Sequence, residues 1–153
     1  GSFFRPPPAL CLPHLLIQGW MYKRRMLFDS GAWAARSDGI TFQLSPNSEP
    51  ASPAFLGASL SIPGSSPPWA YLLEVVKPSA WNQGVPGAPY MMFGVSVHKQ
   101  IWGRGYHVHD LHAIQFDDSG SVIVYHDPSG QATFSVLLTS SHSPIVTVHA
   151  KKD

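Results

Sequence analysis

Proline and glycine interrupt this chain so often that long helices are hard to place. The 153 residues include 15 prolines and 13 glycines, which occur from the first residues to the C-terminal segment. Proline removes a backbone donor and glycine weakens a helix interior, so the intervals between them favour short extended elements. The chain therefore predicts a mainly β fold, an antiparallel sandwich or barrel-like meander with one or two short helices.

Length and composition indicate the size of the domain and restrict the classes of partner that it can bind. Gly1 and Ser2 are typical of residues left by cloning, and residues 3–153 fit a single β-rich domain around one core. Charged residues make up 12% of the chain, about half the usual fraction, and the formal net charge is +1. No basic face is available to neutralise a run of phosphates, so nucleic acid is not expected as a partner.

The number of cysteines and the hydropathy of the chain indicate the cellular compartment in which it is expected. Cys11 is the sole cysteine, so no disulfide can form within the chain, and this favours a reducing, intracellular compartment. No apolar run approaches the roughly 20 residues of a membrane-spanning helix, so no membrane span is expected. The glycines around Gly84 and Gly103 do not lead into a predicted helix, and the sequence implies no cofactor.

Alternating apolar and polar residues predict strands along most of the chain after residue 39. Turns at 117–120 and 127–130 each end in glycine, and they predict hairpins that join consecutive antiparallel strands. The segment 12–28 suits either a helix or a strand, and both interpretations stay open. The predicted strands are 40–44, 55–62, 69–76, 91–99, 106–116, 121–126, 132–138 and 145–149.

Side chains able to do chemistry are concentrated in the predicted strand 106–116. On a strand, His107 and His109 share one face, as an H-x-H pair of metal ligands would. This pair resembles a fragment of the cupin family, and the resemblance implies a metal-dependent β-barrel enzyme. In a regular strand, however, Asp110 and His112 would point to the opposite face. We therefore predict that His107 and His109 bind no catalytic metal.

A second resemblance begins at His112, which is followed by a turn, a short predicted strand and Asp127. This arrangement resembles the histidine and acid of papain-like cysteine peptidases, in which a carboxylate orients the imidazole that activates a thiol. The resemblance is confined to residues 112–127. It implies an α+β papain-like fold and cysteine hydrolase activity, with His112 and Asp127 as catalytic residues.

Two positions are candidates for the nucleophile of such a hydrolase. Cys11 precedes a segment that can be helical, and a helix N-terminus lowers the pKa of a thiol. Residues 30–34 resemble the sequence around a papain-like nucleophile, with Ala32 where the cysteine would stand. The hydrolase interpretation therefore covers an active enzyme, a degenerate descendant, and a form inactivated by a Cys→Ala change at Ala32.

Aromatic side chains indicate a different kind of function. Five of them lie in or beside predicted loops, where a β scaffold commonly presents a binding surface: Trp69, Trp81, Tyr90, Trp102 and Tyr106. The sequence therefore favours a non-catalytic interaction module that binds a protein or peptide partner. A papain-like cysteine hydrolase is the alternative, and a metal-dependent β-barrel enzyme is third. The oligomeric state stays open.

Overall fold

A computed structural model provides the structure of this chain. For residue 23 and for residues 103 and 105–110 it describes the backbone alone. The residues that the structure describes are 12, 23–47, 50–77, 93–103, 105–117, 119–129, 131–139 and 145–153.

Strands dominate the regular structure of these residues. A 3-10 helix at Lys23–Arg25 leads into the first strand, and a single helical turn, α1, follows that strand at Ala32–Ala35. No helix within the described ranges combines the length and the apolar character needed to cross a membrane. The strands are β1 (Met26–Asp29), β2 (Ile40–Leu44), β3 (Gly57–Ser61), β4 (Trp69–Val76), β5 (Gly94–Gly103), β6 (Gly105–Gln115), β7 (Ile123–His126), β8 (Ala132–Leu138) and β9 (Val146–Lys152).

The strands form two separate sheets. The five-stranded sheet has the order β1-β3-β4-β5-β6, and it is mixed because β1 runs parallel to β3. The four-stranded sheet has the order β2-β9-β8-β7 and is antiparallel throughout. The prediction of a mainly β fold with a short helix is confirmed. Over the described residues the architecture is an open sandwich and not a closed barrel.

One apolar core lies between the two sheets. Alternate residues of the strands point into it, so the buried positions of β8 and β9 have a period of two, whereas β3 and β4 are buried on both faces. Leu73 and Val97 from the larger sheet, and Phe134 and Val148 from the smaller one, are fully buried members of this core. The rings of Tyr71 and Phe134 meet edge to face across it, with their centroids 5.0 Å apart. Burying each such side chain contributes about 1.5–3 kcal/mol.

The outer face of the five-stranded sheet is also covered near its β1 edge. Leu12 is buried there against Met26 and Leu72 in a second, smaller apolar cluster. The absence of a side chain at Gly57 makes this contact available, because a Cβ on that residue would collide with Leu12 and Met26. In the ambiguous segment 12–28, the structure thus describes Leu12 as a packing residue and Met26 onward as strand.

The prediction that β6 and β7 form a hairpin is wrong. In the described residues β6 pairs with β5 alone, whereas β7 pairs with β8 in the other sheet. The connection from β6 to β7 therefore leads from one sheet to the other. The connection from β7 to β8 does join paired antiparallel strands, with Ile123 opposite Val136 and His126 opposite Thr133. Alternation places apolar residues on one face of each strand, but it does not specify which strand lies alongside.

The assumption that residues 106–116 form a regular strand is also wrong. The register of β5 and β6 shifts between Val97 and His98, so that His112 lies opposite Val97 and Asp110 lies opposite His98. Leu111 is the extra residue of a β-bulge. The extra residue of a bulge shifts the alternation of the strand by one position. Asp110 and His112, which lie on either side of the bulge, therefore do not occupy equivalent positions in the ladder.

Candidate functional site

His112 lies where the edges of the two sheets meet. β6 is the last strand of the larger sheet and β7 is the last strand of the smaller one. The imidazole of His112 stacks on the phenol ring of Tyr125, with 4.2 Å between centroids and 11° between planes. His112 is exposed on its other side, whereas Tyr125 is half-buried. The pair therefore closes one open side of the sandwich.

Asp127 is buried next to this pair but has other partners. Its Oδ2 accepts a hydrogen bond from the Tyr71 hydroxyl and a second bond from the Ser129 hydroxyl at 2.6 Å. Its Oδ1 accepts from the Ser129 backbone N–H at 3.2 Å. Among the described residues, no hydrogen bond joins Asp127 to His112. Asp127 therefore holds the start of the β7–β8 connection against the core.

The electrostatics of this cluster fit a structural carboxylate. Burial alone would raise the pKa of Asp127, but the hydrogen bonds from Ser129 and Tyr71 and the charge of Lys99 outweigh it and lower the pKa. The pKa of Tyr71 is raised strongly, first by burial and then by its bond to the same carboxylate. Tyr71 is thus held as a neutral donor and Asp127 as an ionised acceptor.

The structure does not bring the Ala32 position to His112. Ala32 begins α1 directly after β1, and it is exposed. β1 and β6 are the two opposite edges of the five-stranded sheet. With four strand spacings between them, the edges are about 19 Å apart. Cys11, the other predicted nucleophile, lies outside the described residues.

The histidines of the predicted metal pair are described by their backbone only. In the bulged ladder, His109 lies opposite Lys99 and His107 lies opposite Ile101. Across the parts of the chain whose side chains are described, no group of three or more His, Cys, Asp or Glu residues is placed to hold a metal ion. The prediction that His107 and His109 bind no catalytic metal stays a prediction.

The predicted aromatic binding surface is described at two of its five positions. Trp69 is half-buried, packs edge to face on Tyr71 at 4.8 Å, and carries the Lys99 ammonium 4.3 Å above its ring. Trp102 is 39% exposed and lies opposite Tyr106 near the tip of the β5–β6 hairpin. The Tyr106 side chain, together with Trp81 and Tyr90, lies outside the description. Trp69 belongs to the edge of the core, whereas Trp102 is exposed among the described residues.

A buried polar pair that the sequence analysis did not single out lies on the outer face of the larger sheet. Glu74 Oε2 is 2.9 Å from His98 Nε2, and both side chains are about nine-tenths buried. The Leu12 N–H donates to the two oxygens of Glu74, at 3.1 and 2.9 Å. A glutamate inside the apolar strand 69–76 was the available signal. The pair anchors Leu12 to the sheet.

An exposed apolar edge was also missed. Val122 and Val124 are 54% and 60% exposed, and they precede and occupy the edge strand β7. The signal was an uninterrupted apolar run, Val122 to Tyr125, in which both faces of the strand carry apolar side chains. One face of that run fills the core, and the other is left on the surface.

Comparison of the chain with protein-family models, with curated proteins and with solved structures found no match. Its function is therefore inferred from its own side chains and surfaces.

Proposed function

We propose that this domain is a non-catalytic interaction module that binds an extended segment of a protein partner by adding a strand to β7. The observation that carries the proposal is the open edge of this strand. Val124 lies in the middle of β7 and is 60% exposed. β7 is the last strand of its sheet, and no strand of the described chain pairs with its outer edge.

The hydrogen-bonding pattern of β7 leaves the backbone groups of alternate residues available to a partner. The Asp127 N–H donates to the Ala132 carbonyl at 2.9 Å, which sets this as a hydrogen-bonded pair. In an antiparallel ladder such pairs alternate with pairs that do not bond to each other. The backbone N–H and C=O groups of Val124 and His126 therefore point away from β8 and face the open edge. Within the described residues, no backbone group accepts or donates there.

The composition of β7 supports the same proposal. Edge strands that stay unpaired are commonly protected by lysine, proline or a bulge. Residues 121–126 contain neither proline nor a formally charged residue, and the ladder from β7 to β8 is regular. Strand addition supplies affinity through backbone bonds and specificity through alternate side chains. On β7 those alternate side chains would be Val122, Val124 and His126.

The contacts that the neighbouring polar residues already make favour a binding function over a catalytic one. The pKa of Asp127 is lowered, and its carboxylate already accepts hydrogen bonds from Tyr71 and Ser129. His112 is engaged by ring stacking on Tyr125. A general base needs a positioned partner that fixes its tautomer, and within the described residues His112 has no carboxylate partner.

A displayed library of short extended peptides tests the proposal, with affinities of selected peptides measured by fluorescence anisotropy. Val124→Pro removes the outward N–H while leaving the bonds to β8, so we expect it to abolish binding. Val124→Thr keeps the backbone and the branched shape, and we expect a smaller loss. Ser135→Lys is the matched control, because Ser135 lies opposite Val124 on the interior strand β8. Peptides that bind all four proteins equally would exclude the β7 edge.

A further inference from the structure

We propose that the occupant of the β7 edge is β7 of a second copy of this chain, paired antiparallel about a two-fold axis at Val124. This rests on the proposed function, because it uses the same edge and the same outward backbone groups. The two four-stranded sheets would become one continuous sheet that runs through both copies. An isologous two-fold contact of this kind is the commonest arrangement of homo-oligomers.

The hydrogen-bonding pattern of β7 favours the register in which Val124 lies opposite the partner's Val124. Val124 directs its N–H and C=O outward, so it can exchange two hydrogen bonds with the partner's Val124. The axis at this residue is also the centre of the run 122–126, so all of the exposed edge is used. Val122 then lies opposite the partner's His126, and Ile123 lies opposite the partner's Tyr125.

The side chains brought together by this register are complementary. On the outer face, two exposed valines meet and are removed from water. On the inner face, a β-branched residue meets an aromatic ring, which is a favourable cross-strand pair. No residue of 121–126 is formally charged, so no like charges are opposed. The net charge of +1 also leaves little repulsion between two copies.

The size of the contact predicts a weak dimer. A stable interface buries about 1,200–2,000 Å² in total, and a single pair of short strands covers less than that. We therefore expect a dissociation constant on the order of 10–100 µM, in the range of transient complexes. The contact would be favoured wherever copies are concentrated or tethered together, since a tether raises the effective concentration.

Charges introduced at the axis test the inference. Because Val124 would face itself, Val124→Lys and Val124→Glu should each be monomeric in sedimentation velocity from about 1 µM to about 1 mM, a range that brackets a weak dimer. An equimolar mixture of the two variants should associate again, because Lys then faces Glu. Association in the mixture also shows that both variants are folded. Ser135→Lys, on the interior strand β8, should dimerise like the unmodified chain.

The possible results separate this inference from the proposed function. Dimerisation that is lost in each variant and regained in the mixture supports β7 self-pairing. Dimerisation that survives both variants places the interface elsewhere and overturns it. A chain that stays monomeric at all concentrations also overturns it, and peptide binding lost in Val124→Pro would then leave the proposed function standing. A monomer that binds no library peptide would exclude both.

Discussion

The ring of His112 lies flat on the ring of Tyr125, with 4.2 Å between centroids and 11° between planes, and so connects the last strands of two sheets that do not pair with each other in the described part of the chain. Tyr125 in turn lies parallel to Phe134 at 6.5 Å, which meets Tyr71 edge to face. The hydroxyl of Tyr71 donates to Asp127. The two residues that resemble a catalytic pair in the sequence are thus connected through the core and not to each other.

The stack predicts a measurable coupling between its two rings. His112→Ala and Tyr125→Leu should each lower the free energy of unfolding, and a double-mutant cycle should give a coupling of about 0.5–1.5 kcal/mol. His112→Phe should retain most of the coupling, because the contact depends on a flat ring. Urea denaturation measures the free energy of unfolding of each of these proteins. Additive losses would show that the two rings do not interact in solution.

The Asp127 cluster predicts acid sensitivity. The folded pKa of Asp127 is lowered, so its contribution to stability is complete above the unfolded value of about 3.9 and is lost as pH falls through the lower folded pKa. Asp127→Asn should lower the free energy of unfolding by about 1.5–3 kcal/mol at neutral pH. The difference from the unmodified chain should shrink below about pH 4. A difference that stays constant with pH would contradict an ionised Asp127.

The buried Glu74–His98 pair predicts a large loss on removal of one partner. Glu74→Ala leaves His98 and the Leu12 N–H without this carboxylate, and we expect a cost of about 3–5 kcal/mol. The comparison variant is Asp38→Ala, which removes an exposed 3.8 Å pair with Arg36 and should cost about 0–1 kcal/mol.

Hydrogen exchange at Leu12 gives an independent measurement of the same contact. The Leu12 amide should exchange slowly in the unmodified chain and quickly in Glu74→Leu, which keeps a side chain of similar size but removes both acceptor oxygens. Equal protection in both proteins would show that the carboxylate does not hold Leu12.

The separation of the two sheet edges predicts that a thiol at position 32 is not activated. Ala32→Cys in a Cys11→Ala background should react with iodoacetamide at the rate of an ordinary thiol of pKa about 8.5. A further His112→Ala change should leave that rate unaltered, and the unmodified chain should show no peptidase activity. Fast alkylation that depends on His112 would overturn the interaction module and favour an inactivated peptidase.

Much of the β structure could be predicted because strand alternation is a local property of the chain. Ile40–Leu44, Trp69–Val76 and Ala132–Leu138 were predicted with the bounds that the structure has. Ile40–Leu44 and Ala132–Leu138 alternate between more and less buried positions, and Trp69–Val76 is a short apolar run that is buried throughout its interior. Both patterns are readable from neighbouring residues alone. Frequent proline and glycine excluded long helices for an equally local reason.

Only the tertiary structure decided which strands are neighbours and what each polar side chain contacts. The turn at 117–120 is compatible with a hairpin and with a crossing between sheets, and the crossing separates β6 from β7. The bulge at Leu111 and the bond from Tyr71 to Asp127 likewise depend on residues far apart in the chain. Pairing and burial are sums over such distant contacts. The sequence by itself determined where strands would form, and packing decided that one apolar edge, β7, would remain on the surface.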